Sequence, residues 1–247
     1  MKKLYFLIIK PGSSYVELRK RNKDFDNLIV NLSDRNDVLW TVRSVPDVEI
    51  YNLGKYKAIF VTGAHSSIVT GYKYLDGFKW IVELAIKRRI PMLGICFGHQ
   101  LICKALGGDV SRNPMGPEFG ISRINLTING IADPIFRGIN RSKMDVYTSH
   151  VDNVSRLGAD FIQLAWNEHS MYQAVRYDNF IYGVQFHPEY TKEVMEFYIR
   201  KNWKLIEKDY KGGPLFKKRP EELLKNMKEL RKPKMIIKNF ITLATSI

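Results

Sequence analysis

The chain has 247 residues, 45% of them apolar and 26% charged, with a formal net charge of +14 and a sequence pI near 9.6. That composition supplies a full hydrophobic core and excludes a disordered chain, and the length suits one large α/β domain or one domain with an appendage. Two cysteines, Cys96 and Cys103, exclude a disulfide framework and fit a reducing cytoplasm, and no apolar run approaches the ~20 residues that a membrane span needs.

Met1-Lys2-Lys3 followed by Leu4 to Ile9 mimics a signal peptide, but no small-residue cleavage site follows and Lys10-Pro11-Gly12 ends the run. It reads as the first buried strand. Lys10 to Arg35, rich in charge and carrying Pro11-Gly12-Ser13-Ser14, reads as a long surface loop with a short helix. Leu39 to Val45 and Ala58 to Val61 are the next strands. Phe78 to Arg88 has apolar residues at Phe78, Ile81, Val82, Ala85 and Ile86, a helical period, and Met92 to Ile95 is strand again. That alternation predicts a mostly parallel sheet with helices on both faces. From Gly120 onward short strands follow quickly: Ile121 to Ile128, Met144 to Ser149, Phe161 to Trp166, Met171 to Tyr177 and Phe180 to Phe186. Turn signals at Asn129-Gly130, Arg137-Gly138 and Asp178-Asn179 separate them, so a small antiparallel layer is expected there. After Tyr190 a helix should run from Thr191 to Asp209, break at Lys211-Gly212-Gly213-Pro214, resume from Pro220 to Leu230, and give way after Pro233 to an apolar end, Met235 to Ile247. The expected organisation is a main domain over 1–190 and a helical extension over 191–247 packed on it.

Two short stretches carry chemistry. Ile90 to Ile95 is apolar and stops at Cys96, after which Leu101, Ile102, Ala105 and Leu106 take up a helical period, and Gly94 and Gly98 bracket the cysteine. A strand, a tight turn and a helix around one proud side chain is a nucleophile elbow, here with sulfur. At a helix N-terminus the dipole favours the thiolate. G-x-C-x-G alone also fits a buried cysteine in a core turn. The second stretch is His187-Pro188-Glu189, at the end of the last strand. In extended backbone, residues two apart share a side, so His187 can move the thiol proton while Glu189 orients the ring. Cys96, His99 and Cys103 have a spacing that suits zinc, but no fourth ligand is apparent, so neither a metal nor a cofactor is expected.

Gly94-Ile95-Cys96-Phe97-Gly98-His99-Gln100 and Gly183-Val184-Gln185-Phe186-His187-Pro188-Glu189 resemble the signatures of the class I (triad-type) glutamine amidotransferases. Ser149-His150-Val151-Asp152 resembles that family's substrate-side segment, and Val61-Thr62-Gly63-Ala64-His65-Ser66-Ser67 stands where the family has its oxyanion strand, with His65 where many relatives carry proline. The resemblance covers roughly Leu4 to Tyr190. It implies a flavodoxin-like α/β fold and a Cys96, His187, Glu189 triad. It also implies an oxyanion hole from backbone at Gly63, Ala64 and Phe97, and glutamyl binding by Gln100, Ser149, His150 and Val151. The expected reaction is hydrolysis of the γ-amide of glutamine, or of a γ-glutamyl compound, through a γ-glutamyl thioester. No G-x-x-x-x-G-K-[ST] loop is present. The Gly116-Pro117-Glu118-Phe119-Gly120 turn and the helical extension after Tyr190 resemble stand-alone members, so a stand-alone hydrolase similar to γ-glutamyl peptidases is the first expectation. An amidotransferase chain feeding ammonia to a separate synthetase, as in GMP-synthase amidotransferases, is the alternative, and a non-catalytic module on the same fold is the third. The segment from Thr191 to the C-terminus holds 15 Lys/Arg against 7 Asp/Glu, a net of +8 out of +14. These charges follow helical patterns without interleaved aromatics, so a solvated helix face is expected rather than a nucleic-acid partner.

Overall fold

Four short strands have side chains that alternate between the two faces of a sheet, and each face has its own helices. The computed structural model describes residues 3–48, 50–139, 142–212 and 218–246. The strands are β1 (Leu4–Lys10), β2 (Val38–Ser44), β3 (Ala58–Val61), β4 (Met92–Ile95), β5 (Asp109–Arg112), β6 (Glu118–Leu126), β7 (Lys143–His150), β8 (Asp152–Arg156), β9 (Phe161–Trp166), β10 (Ala174–Tyr177) and β11 (Ile181–Val184). The helices are α1 (Val16–Arg19), α2 (Phe25–Val30), α3 (Leu75–Lys87), α4 (Phe97–Ala105), α5 (Ile128–Ala132), α6 (Lys192–Lys201), α7 (Trp203–Gly212), α8 (Pro220–Lys225) and α9 (Lys234–Ser246).

Nine strands form one sheet in the order β2-β1-β3-β4-β11-β10-β9-β6-β7. The first five are parallel and the rest antiparallel. The quick succession of strands after Gly120 thus mostly continues the main sheet, and the separate antiparallel piece is the two-stranded β5–β8. Neither β5 nor β8 has a hydrophobic run, which is why periodicity passes over them.

Phe6, Ile8, Phe60, Leu93, Ile95, Tyr182 and Val184 share one core with Ile236, Ile237, Phe240 and Ala244 of α9. Leu7, Ile9, Ile59, Val61, Met92 and Ile181 share the other with Phe78, Ile81 and Val82 of α3 and Leu101 and Ile102 of α4. The period of two along the strands and of 3.6 along the helices makes both faces dry. A third cluster joins Leu18 and Phe25, beside the ends of the parallel strands, to Tyr147, Val194, Tyr198 and Leu223. The stretch read as a surface loop therefore folds inward: Asp24 caps α2, accepts from Ser14 N at 2.8 Å and from Lys10 Nζ at 2.6 Å, and so buries Phe25. The single helix expected after Tyr190 is two, α6 and α7, parted at Asn202. The expected break at Lys211-Gly212-Gly213-Pro214 runs into residues 213–217, outside the described residues. Among the described residues no helix is long and apolar enough to cross a membrane.

Candidate active site

β4 ends at Ile95 and α4 starts at Phe97, which leaves Cys96 in the turn with φ 53° and ψ −104°. For a non-glycine residue that backbone costs on the order of 1–3 kcal/mol and persists only where the surroundings fix it. Here Cys96 N–H donates to Val184 O at 2.8 Å, and Cys96 O accepts from Gln100 N at 3.1 Å. The flanking glycines let α4 sit on the strands backbone to backbone. A Cβ on Gly94 would lie 2.5 Å from Gly98 O, and one on Gly98 would lie 2.2 Å from Val61 O. The sulfur stands at the carboxyl edge of the parallel strands, where ligands of such sheets bind.

β11 stops at Val184, so His187 and Glu189 lie in a turn and not in the extended backbone expected for them. Gln185 N–H donates to Gln173 O at 2.9 Å and His187 N–H to Tyr147 O at 2.8 Å, which takes the chain off the strand. The turn still brings the two side chains together: His187 Nδ1 donates to Glu189 Oε1 at 2.7 Å. Burial alone would lower the ring's pKa, but the Glu189 carboxylate and the Cys96 sulfur outweigh it and raise it to about 10. The Cys96 sulfur and the His187 ring line the same cavity. His187 stacks on Tyr190, centroids 3.9 Å apart, and lies nearly parallel to Phe25 at 6.4 Å. The Gly63-Ala64 turn after β3 runs alongside: a Cβ on Gly63 would be 3.2 Å from His187 Cε1.

The remaining expected residues gather on the opposite wall. Gln100 Nε2 donates to Asp152 O at 2.8 Å and to Gln185 Oε1 at 3.1 Å, so its amide ties α4 to β8. Ser149 O lies 3.9 Å from Cys96 Sγ. Val151 O accepts from Asn113 N at 3.1 Å. The His150 ring is gripped at both nitrogens, by Asp152 O at 3.0 Å and Glu118 Oε2 at 2.8 Å. Burial would raise the Glu118 pKa, but its bond to His150 and the charge of His150 and His169 pull it down to about 2. Cys96, Phe97, Ala64, His65, Gln100, Ser149, His150, Val151 and His187 all line one cavity of about 280 Å³. Arg112 and Asp152, register partners on β5 and β8, give it one cation and one anion, 3.8 Å apart. A larger hollow of about 420 Å³ opens beneath α7 and α8, but neither Cys96 nor His187 lines it.

Sequence reasoning passed over Glu118, Arg112, Phe25, Tyr190 and Tyr198, which the fold brings to the site or behind it. Only Glu118, inside Gly116-Pro117-Glu118-Phe119-Gly120, carried a signal: a lone acidic residue at the start of a strand. His99 faces away from the cavity, fully buried against Gly183, with its pKa pushed down to about 3 by burial. Cys103 is in the core beside it, and burial raises its pKa. Among the described residues no group of three His, Cys, Asp or Glu side chains is arranged to hold a metal.

Cys96, His187 and Glu189 are thus gathered at the carboxyl edge of the parallel strands. The family model described as Glutamine amidotransferase class-I matches residues 22–205. The chain is 37% identical over 152 residues to a glutamine-hydrolyzing GMP synthase subunit from Sulfolobus acidocaldarius, a match that covers 61% of this chain and 77% of that protein. It is 33% identical over 234 residues to the glutamine-hydrolyzing GMP synthase of Aquifex aeolicus, covering 92% of this chain and 42% of that longer protein. A glutamine amidotransferase crystal structure from Thermotoga maritima shares the fold with a TM-score of 0.70, 20% identity and 100% coverage of both chains. The chain belongs to the class-I glutamine amidotransferase family.

Proposed function

We propose that the protein hydrolyses the γ-amide of glutamine through a γ-glutamyl thioester on Cys96 and delivers the ammonia to a separate synthetase. The observation that carries the reading is Cys96 held at φ 53° on its elbow, lining one cavity with a His187 ring that Glu189 orients. With the proton on His187, the sulfur attacks the γ-carbonyl carbon as the thiolate. The oxyanion takes N–H groups of Phe97 and of the Gly63-Ala64 turn, which act best when fixed in advance. The C–N bond breaks as His187 gives its proton to the leaving nitrogen, and ammonia departs. His187 then takes a proton from water, the hydroxide attacks the thioester, the C–S bond breaks and glutamate leaves. Glu189 keeps the ring in one orientation throughout. Gln100, Ser149, His150 and Val151 hold the α-amino and α-carboxylate groups, and the Arg112–Asp152 pair suits the charge of an amino-acid head.

Relatives named as one subunit of a glutamine-hydrolyzing GMP synthase support the synthetase partner over a stand-alone γ-glutamyl hydrolase. On this reading residues 1–190 form the amidotransferase-like unit and 191–247 a helical extension packed on it, supported by α9 in the core of the sheet and α6 against Phe25 and Tyr147. The work is done in the cytoplasm, where the thiol stays reduced.

The test is acid-quenched turnover of labelled glutamine with mass spectrometry of the intact chain. A γ-glutamyl adduct on Cys96 is expected, Cys96→Ala loses hydrolysis by about 10³-fold or more, and Cys103→Ala stays near wild type. Turnover by Cys96→Ala refutes the chemistry. Faster turnover of γ-glutamyl dipeptides than of glutamine, unaffected by a synthetase, refutes the acceptor.

A further inference from the structure

The turn proposed to supply an oxyanion donor is held from an unexpected direction. His65, its third residue, keeps an exposed edge, and its Nε2 lies 3.0 Å from the Tyr198 hydroxyl on α6. The ring is clasped by aromatics, with Tyr15 at 4.4 Å and Phe25 at 6.1 Å. Burial and the nearby charge of His187 lower the His65 pKa, so the ring is neutral and one nitrogen is free to accept. Tyr190, the residue stacked on His187, has its ring 5.2 Å from that of Tyr198, so the residue that meets His65 also packs behind the His187 pair. The other end of the turn is tied too: Ser67 Oγ donates to the Asp152 carboxylate. A short segment with no proline is thus pinned at both ends by side chains, and one pin comes from a helix that begins only after the catalytic turn.

We propose that Tyr198 is a positioning residue: its hydroxyl fixes His65, and His65 sets the Gly63-Ala64 backbone so that an N–H points at the forming oxyanion. The inference rests on the proposed role of that turn. It assigns the first helix of the extension a part in catalysis beyond covering the domain. A donor that is present but loose contributes less than one fixed in advance, because the reacting group must then reorganise it.

The experiment compares Tyr198→Phe, His65→Leu, His65→Gln and the double variant Tyr198→Phe/His65→Leu, on glutamine, in the full chain. Tyr198→Phe keeps the ring and removes only the hydroxyl. It is expected to lower kcat about tenfold with KM within about twofold, while alkylation of Cys96 by iodoacetamide, which needs no oxyanion donor, keeps its rate. His65→Leu should match it, and the double variant should be no slower than either alone, since both cut one link. His65→Gln, which can still accept from Tyr198, should recover most of the activity. Wild-type kcat in Tyr198→Phe, or losses that multiply in the double variant, overturns the proposal. If Tyr198→Phe does not fold, the His65→Leu and His65→Gln comparison decides alone: equal kcat in the two overturns it. Full activity in Cys96→Ala strikes instead at the parent reading, so the two failures are distinct.

Discussion

Replacing Gly98 by alanine tests the elbow through a single methyl group. The added Cβ would lie 2.2 Å from Val61 O, 2.8 Å from Val61 C and 3.0 Å from Val61 Cβ. A carbon and a carbonyl oxygen in contact need roughly 3.3 Å, so α4 must retreat from β3 by about 1 Å. Overpacking of this kind costs about 1–3 kcal/mol, against an intrinsic helix gain of about 0.5–1 kcal/mol for alanine over glycine. The net loss of about 1–2 kcal/mol leaves a protein with a typical 5–15 kcal/mol of stability folded. Catalysis is the more sensitive quantity. Cys96 is the residue before α4, and Val61 leads into the Gly63-Ala64 turn, so the retreat opens the distance between the proposed nucleophile and the proposed oxyanion donor. A misplacement of about 1 Å can cost on the order of 10²-fold.

The assay pairs urea unfolding with kcat for glutamate release. Gly98→Ala should unfold at somewhat lower urea and turn over about 100-fold more slowly, with the folded fraction at assay conditions unchanged. Gly77→Ala is the control, because it lies in α3 with nothing within 4 Å of its Cβ position; it should gain about 0.5–1 kcal/mol and keep full activity. A Gly98→Ala variant with wild-type kcat would refute the claim that close packing of α4 sets the nucleophile.

Three further outcomes are expected. Glu189→Gln should lower kcat about 10- to 100-fold, less than Cys96→Ala. The raised His187 pKa contributes stability that is complete below pH ~6.5 and is lost as pH rises through about 10, so the same variant should also flatten the alkaline arm of a stability–pH curve; an unchanged arm contradicts the pairing. Glu118 is depressed from 4.5 to about 2, a difference of about 2.5 units, so it contributes on the order of 3 kcal/mol above pH ~4.5 that is lost as pH falls through about 2. Chemical denaturation of Glu118→Gln across that window should show a shallower acid slope than the wild type, and equal slopes count against the buried pair. Phe240→Ala should cost about 3–5 kcal/mol, because the ring is fully buried against Phe60 at 5.0 Å; a loss below 1 kcal/mol would mean that α9 is not part of the core.

The parallel half of the fold was legible because its strands are short apolar runs and α3 and α4 repeat their apolar residues at helical spacing. The elbow was legible because only small residues tolerate 2.2–2.5 Å approaches, so Gly94 and Gly98 had to be written into the chain around Cys96. The dyad was legible in its partners but not in its backbone. His187 and Glu189 meet through a turn, since main-chain bonds to Gln173 and Tyr147 draw the chain away from β11. β5 and β8 were illegible: their side chains are largely polar, and their meaning lies in setting Arg112 beside Asp152, a pairing between residues 40 positions apart that no local pattern encodes.

Tyr198 shows the same limit more sharply. In sequence it is one apolar position on an amphipathic helix, and burial is the expected reading of any such residue. Its hydroxyl acquires a role only because α6 folds back over the cavity and meets His65, 133 residues earlier. A buried tyrosine hydroxyl without a partner would cost about 1–3 kcal/mol, a cost that His65 on the turn removes for Tyr198 on the helix. A leucine at 65 takes that partner from the buried tyrosine, whereas a phenylalanine at 198 leaves the exposed histidine to water. The helix after Glu189 and the turn after β3 are thereby tied together, so on the proposed reading the geometry of the oxyanion donors depends on the closed fold and not on the signature residues alone.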